Sequence, residues 1–255
     1  MNYEYRIVAF IDILAFSEMI KATDTDDPKK EDDAKAMLDK LQEVVKFLQT
    51  DISKAISKHD LPSGTKASMF SDTVVVSIPK AESRGVWRLF QLLKKLQIKL
   101  IGNDILLRGG IVHGKLIHQD QLIIGPALVN AYEVESKSAL YPRIVIDPHV
   151  LHLYVRKNGV SISNLRLSDK DDGRTIKKDL DGTSYIDYFN LLEDYYDGNV
   201  TKYFAHLNEL IRKGMNRKFG TGIRMKYMWM KEKVNTSKYS DEIKSAGKKK
   251  LKGRS

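Results

Sequence analysis

Two aspartates stand out because each sits inside an apolar run. Asp12, in "RIVAFIDILAFSEMI", has no opposite charge among its immediate neighbours, and Asp72, in "MFSDTVVV", lies between two extended apolar segments. A buried carboxylate without a partner is costly, so each acid must be neutralised by something outside its own segment. Read singly, either one also fits a lone turn or strand-edge residue. Their matching contexts point to a pair, and two carboxylates converging in a low-dielectric setting need a shared proton or a cation. Hard divalent ions such as Mg²⁺ or Mn²⁺ take oxygen ligands, commonly one or two carboxylates completed by water and substrate phosphates. After Asp12 the chain "DILAFS" passes from a strand towards a helix start, with Ser17 placed as a cap. Free N–H groups there suit an anion. An acid pair beside an anion-binding turn describes a polyphosphate site, where a metal polarises a phosphoryl group and activates an oxygen nucleophile.

The elements that must position these acids can be read from periodicity. Residues 5 to 13 form a strand buried on both faces. A polar, turn-rich stretch at 23 to 33 leads into Met37, Leu38, Leu41, Val44, Val45, Leu48, Ile52 and Ile56, spaced by threes and fours as in a long amphipathic helix. "LPSG" ends it, and residues 65 to 79 read as a hairpin pivoting on Ser71 and Asp72. A second amphipathic helix spans about 83 to 101, followed by the strand "ILLRGGIVHG", whose glycines at 109, 110 and 114 permit bulges or close backbone approach. His113, between those glycines, reads as a structural histidine. "PALVNAYEVESKSA" opens a helix with Pro126, and "RIVID" returns as a strand. The order βαββαβ predicts an α+β fold with an antiparallel or mixed sheet and helices on one face. Residues 185 to 238, rich in Tyr, Phe, Leu and Met at helical spacing, read as a helical appendage on a catalytic domain of residues 1 to 184, its aromatic residues serving the core rather than base stacking.

Composition sets the class. The 255 residues carry 42% hydrophobic and 30% charged side chains and no cysteine, which excludes disulfides and thiolate metal sites. No apolar stretch approaches the about 20 residues of a membrane span, and "MNYEYRIV" has no signal-peptide pattern, so the expected location is the cytoplasm. The net charge of +10 is partly local, since residues 241 to 255 hold six Lys or Arg against two acids. Residues 239 to 255 read as a solvated, disordered basic tail, and with no helix-turn-helix or aromatic RNA-binding signature, nucleic acid is not the expected partner.

Four segments in order resemble the motifs of the class III nucleotide cyclases. "VAFIDILAFSEMI" resembles the first metal motif and "FSDTVVVSIP" the second. "LLRGGIVHGKL" resembles the Arg-x-Gly-Ile-x-x-Gly strand, and "IIGPALVNAYEVES" the helix that follows it. The resemblance implies a ferredoxin-like core working as a homodimer, with active sites at the interface. It further implies two divalent ions, Mn²⁺ or Mg²⁺, on Asp12 and Asp72 with the Ile13 carbonyl as a further ligand. One ion would acidify the ribose 3′-hydroxyl while the other braces the triphosphate, for in-line attack on the α-phosphorus. Residues Leu14, Ala15, Phe16 and Ser17 would cradle phosphates, with Phe10 and Phe70 beside the nucleotide. The purine-reading positions fall on Ser68 and Leu122, neither charged. The transition-state Arg aligns with Glu133, and the family's Asn with Val129, or with Asn130 after a one-residue slip; Lys137, Arg143 or Arg108 are the substitute cations.

These departures, with "KYMWMKEKVN" in a helical C-terminal part, resemble the Pycsar-type pyrimidine cyclases of bacterial anti-phage defence. That implies cyclic UMP or cyclic CMP made from UTP or CTP, with UTP ahead, to be sensed by a separate effector. The competing readings are a purine cyclase with unusual base readers and an inactive cyclase-like module that binds nucleotide or a partner protein. Glu133 at the Arg position favours the inactive module, and retention of both aspartates opposes it.

Overall fold

The computed structural model describes residues 2–79, 83–120, 122–158, 175–191, 199–216, 220–237 and 239. The expected basic tail therefore lies, Tyr239 apart, outside the described residues.

Strand β1 (Glu4–Ile13) is the centre of the fold because it is apolar on both sides, and it pairs antiparallel with two strands at once. Its neighbours are β3 (Thr73–Pro79), which forms a hairpin with β2 (Lys66–Phe70), and β4 (Leu107–Gln119). The sheet continues from β4 through β6 (Ile144–Ile146) to a second hairpin, β7 (Ile176–Lys178) and β8 (Ser184–Ile186), in the order β2-β3-β1-β4-β6-β8-β7. The short β5 (Leu122–Ile124) folds back on β4. Among the described residues only β4 and β6 pair in parallel. The first four strands have the ferredoxin-like order, and the expected βαββαβ core is present in an α+β fold with a mixed sheet.

The alternation of β1 assigns its two faces. Ile7, Ala9, Ile11 and Ile13 point into the main core with α2 (Glu31–Ser57), α3 (Ser83–Ile101) and α5 (Pro148–Asn158). The stripe Leu41, Val44, Leu48, Ile52 and Ala55 of α2 is the expected 3 and 4 spacing, and each fully buried Leu or Ile contributes about 2 kcal/mol. Val8 and Phe10 point the other way, to α4 (Pro126–Glu133), whose Ala127 and Ala131 are wholly buried over β4. This close seat needs Gly110, because a Cβ there would lie 2.6 Å from the Ala131 carbonyl oxygen. A π-helical turn, Val134–Ser138, follows α4.

Only part of the second face is covered. Phe70, Val129 and Tyr132 are each half exposed or more. No helix among the described residues is long and apolar enough to cross a membrane.

The C-terminal part differs from a purely helical appendage. Tyr185 and Ile186 belong to β8, because aromatic and β-branched residues at this spacing also fit a buried strand. Two further helices follow: α6 (Val200–Asn216) and α7 (Thr221–Asn235). They pack with Tyr185, Tyr188, Phe189, Ile98 and Leu106 in a second core cluster. A buried charge clasp fastens α7: Asp179 accepts from Lys233 Nζ at 2.6 Å, Trp229 Nε1 at 2.7 Å and Arg143.

Candidate active site

Both aspartates lie at one end of the sheet. β1 ends at Ile13, whose N–H donates to the Asp72 carbonyl at 3.2 Å, so the hairpin tip is tied to the residue after Asp12. The tip turns through Ser71 at φ 55°, which brings Asp72 into direct interaction with Asp12. The expected convergence of positions 12 and 72 is what the structure has.

The charge opposite Asp12 comes from its register neighbour. Asp12 pairs with Arg108 across β1 and β4, and Arg108 Nε donates to Asp12 Oδ2 at 3.0 Å. The same Nε lies against Oε1 of Glu135, a carboxylate in the π-helical turn whose side chain is only 2% exposed. Burial pushes both Asp12 and Glu135 above the usual carboxylate range. Arg108 opposes the shift at each, while the nearby Asp72 charge adds to it. Two acids on one guanidinium, with Asp72 beside them, leave an excess of negative charge when all are ionised.

That excess is what a hard cation would meet. Asp12 and Asp72 offer carboxylate oxygens at the mouth of a partly buried site, and this donor set fits Mg²⁺ or Mn²⁺. No group of three or more His, Cys, Asp or Glu able to hold a metal is present among the described residues, so water and substrate oxygens would have to complete the shell.

The turn after β1 differs from the expected cap. Ala15, not Ser17, is the N-cap of α1 (Phe16–Lys21), in a left-handed conformation with φ 64°. Ser17 lies exposed inside the helix, and no side chain caps it. Leu14 N–H is taken by the Leu106 carbonyl at 2.9 Å, and Phe16 packs on the main core. Leu14 and Phe16 side chains thus anchor the turn.

Phe10 and Phe70 face the same side of the sheet as Asp12, and Phe10 meets Tyr132 edge to face at 5.7 Å. Ser68 shares that face and ends a buried polar chain. Arg6 Nε donates to Ser77 Oγ at 2.9 Å, Ser77 Oγ is 2.8 Å from His118 Nδ1, and His118 Nε2 is 3.0 Å from Ser68 Oγ. Ser68 Oγ in turn donates to the Asp120 carbonyl at 3.0 Å. Ser68 spends its one proton on Asp120, so His118 donates to it from Nε2 and, being neutral, accepts the Ser77 proton at Nδ1. Burial, then the charges of Arg6 and Lys66, hold His118 down at about 4, so it is neutral at pH 7.

Of the candidate cations, Arg108 lies in the site, whereas Lys137 and Arg143, together with Asn130, fall elsewhere. Asn130 and Lys137 line a cavity with Val112, His113, Glu133 and His149 that includes neither aspartate, and Lys137 is paired with Glu133 at 2.7 Å. Arg143 is a correction: its side chain is wholly buried and its terminal nitrogens bind Asp179, Asp181 and the Ser138 carbonyl, so it serves the α7 clasp rather than a substrate. Leu122, at the other base-reading position, is on β5.

Glu135, His118 and Lys226 belong to this neighbourhood without having been marked in the sequence. Lys226 of α7 is half buried and faces Arg108, Glu18, Asp12 and Glu135. Burial, with Arg108 second, pushes its ammonium below the ordinary lysine range against the pull of the acids.

No family model and no curated protein matches the chain. Among solved structures it is similar to the adenylyl cyclase CyaB from P. aeruginosa, at 14% identity over 60% of this chain and 81% of that one, with a TM-score of 0.45. It is also similar to the catalytic core of a rhodopsin-guanylyl cyclase with converted specificity in complex with ATPαS, at 17% identity over 73% and 97% of the two chains and a TM-score of 0.42. A third is a bacterial light-regulated adenylyl cyclase, at 16% identity over 84% and 99% and a TM-score of 0.41.

Proposed function

We propose that the chain is a pyrimidine nucleotide cyclase that converts UTP, or CTP, to the 3′,5′-cyclic monophosphate and pyrophosphate. The observation that carries this reading is the meeting of Asp12 and Asp72 beside the turn at 14–17 on a ferredoxin-like sheet, the arrangement that the four sequence motifs imply. Asp12 and Asp72, with the Ile13 carbonyl, would hold the divalent cations, which when bound supply Lewis acidity towards the phosphates and the ribose hydroxyl.

In the reaction the ribose 3′ oxygen bonds to the α-phosphorus and loses its proton to water. The bond from the α-phosphorus to the bridging β-phosphate oxygen breaks, and its electron pair leaves with pyrophosphate. Arg108 keeps the Asp12 carboxylate oriented in this site. The left-handed turn at Ala15 leaves the backbone of 15–17 for phosphate contact, the Leu14 N–H being held by the Leu106 carbonyl. Ser68 offers the base an uncharged oxygen whose own proton is committed to Asp120, so the remaining lone pair accepts from a donor such as the uracil N3–H. Neither Ser68 nor Leu122 provides a charged purine reader.

Phe70, Val129 and Tyr132 make the partly covered face an apolar surface, and a second copy of the chain docked there would form a homodimer. The cyclic nucleotide would act as a second messenger for a separate effector in defence against phage.

The test is incubation of the purified protein with Mn²⁺ and each of the four ribonucleoside triphosphates, with chromatographic detection of cyclic monophosphate and pyrophosphate. Product from UTP or CTP is expected, and it should vanish in Asp12→Ala and Asp72→Ala. No product from any triphosphate overturns the cyclase reading, and product from ATP alone overturns the pyrimidine one. Sedimentation of the same preparation tests the dimer.

A further inference from the structure

Helix α7 brings a cation to the acid cluster from the C-terminal part of the chain. Its buried apolar residues, Trp229, Met230 and Val234, pack in the cluster that contains Leu106, with Leu14 against its edge. Leu14 follows Asp12 by two residues, and Leu106 precedes Arg108 by two. The hydrogen bond between them clamps together the two segments that carry the site's ion pair. α7 therefore packs where that pair is held.

On a helix, residues three and four apart share a face, and side chains lean towards the N-terminus. Lys226 stands three and four residues before Trp229 and Met230, so it continues the buried face of α7 by one turn. Its half-buried ammonium faces Asp12, Glu18 and Glu135 and the guanidinium of Arg108. It makes no ion pair within 4 Å among the described residues. Of the acids within view, Asp12 and Glu135 share Arg108, and Glu18 is exposed to solvent. A desolvated ammonium of this kind costs free energy unless an oxyanion completes its shell.

The rest of α7 makes the position rigid. Lys233, two turns on, is locked to Asp179 at 2.6 Å, and Trp229 is stacked on Tyr141 with ring centroids 5.3 Å apart. The helix cannot withdraw Lys226 without breaking that clasp.

We propose that Lys226 is a substrate-contacting residue of the same active site, its ammonium binding a non-bridging phosphate oxygen of the nucleoside triphosphate. The proposal rests on the cyclase reading for the identity of the substrate. It gives the C-terminal helix a direct part in the site, and it supplies in the same chain a positive charge that Glu133 does not.

The experiment compares wild type with Lys226→Gln, Lys226→Arg and, as a control on the exposed side of the same helix, Lys231→Gln. The first readout is calorimetric binding of inorganic tripolyphosphate in the presence of Mn²⁺; the second is kcat and KM with UTP. Loss of one charge-assisted contact should weaken tripolyphosphate binding by about 10- to 100-fold in Lys226→Gln, with a comparable fall in kcat/KM. Lys226→Arg should recover most of both, and Lys231→Gln should match wild type. Unchanged tripolyphosphate binding in Lys226→Gln overturns the proposal, as does wild type that fails to bind tripolyphosphate. Wild type that binds tripolyphosphate but cyclises no nucleotide overturns the cyclase reading instead, and Lys226 is then judged on the binding arm alone.

Discussion

The histidine chain behind Ser68 makes a quantitative prediction about pH. His118 is 5% exposed and held at about 4, whereas an unfolded histidine titrates near about 6.5. Between those values the unfolded chain binds a proton that the folded chain refuses, so stability rises with pH across this window. The contribution is complete above pH 6.5 and is lost as pH falls through 4. At pH 5 the linkage relation gives a loss of about 2 kcal/mol relative to neutral pH, a large share of a typical net stability. The perturbation is His118→Gln, and the assay is urea unfolding followed by circular dichroism at pH 7.5, 6.5, 5.5 and 5.0. The variant will be less stable at neutral pH, because two hydrogen bonds to buried hydroxyls are altered. What isolates the histidine is the slope: wild type should lose about 2 kcal/mol more than the variant between pH 7.5 and 5.0. Carboxylate titrations are common to both proteins and cancel in the comparison. Parallel stability curves would refute the assignment of a neutral, Nε2-protonated His118.

Two other perturbations test the supports of the site. Gly110→Ala puts a methyl 2.6 Å from the Ala131 carbonyl oxygen and 2.8 Å from Val134 Cβ, so it must lift α4 from β4. A loss of about 1–3 kcal/mol in a thermal melt is expected, and an unchanged melting temperature would show that α4 is not seated as described. Asp179→Ala strips the buried acceptor from Lys233, Trp229 and Arg143, leaving the two buried cations with only the half-exposed carboxylates of Glu232 and Asp181. It should cost about 3–5 kcal/mol by urea unfolding, whereas Asp181→Ala, whose side chain is 45% exposed, should cost under about 1 kcal/mol. Equal effects would contradict the clasp.

The fold was legible wherever a single period dominated. β1, the hairpin through Asp72, and helices α2 and α3 follow from apolar alternation or 3 and 4 spacing, and the glycines of β4 from the need for close approach. β8 was not, because "SYIDYF" satisfies strand and helix spacing alike and only its partner β6 decides. At the site, the two aspartates could be paired because their contexts match. Arg108 could not be assigned to Asp12 from sequence, since their contact depends on the register of strands 96 residues apart. The Arg6, Ser77, His118 and Ser68 chain is hidden for the same reason: the four residues sit on four different strands, and no local pattern links them. Lys226 left a faint signal, a lysine one turn from Trp229 and Met230 on a helix face that is otherwise buried.

The puzzle of Asp12 therefore has a physical answer that constrains the chemistry. Its partner is in the same chain, on the adjacent strand, and a buried Glu135 competes for it. Asp12, Asp72, Glu135 and Glu18 carry four negative charges when ionised, against two positive ones on Arg108 and Lys226. A nucleoside triphosphate is itself a polyanion, and its approach to such a cluster is repelled unless cations arrive with it or wait there. Burial sharpens that requirement, because the same low dielectric that raises Asp12 and Glu135 strengthens every unscreened repulsion. The acids and the two cations are held by strand register, by the Leu14 to Leu106 hydrogen bond and by the α7 clasp, three devices independent of one another. A site so fixed does not relieve its charge by rearranging; the carboxylates must take up protons or meet a cation, and under the cyclase reading proposed above that cation would be the divalent ion arriving with the substrate.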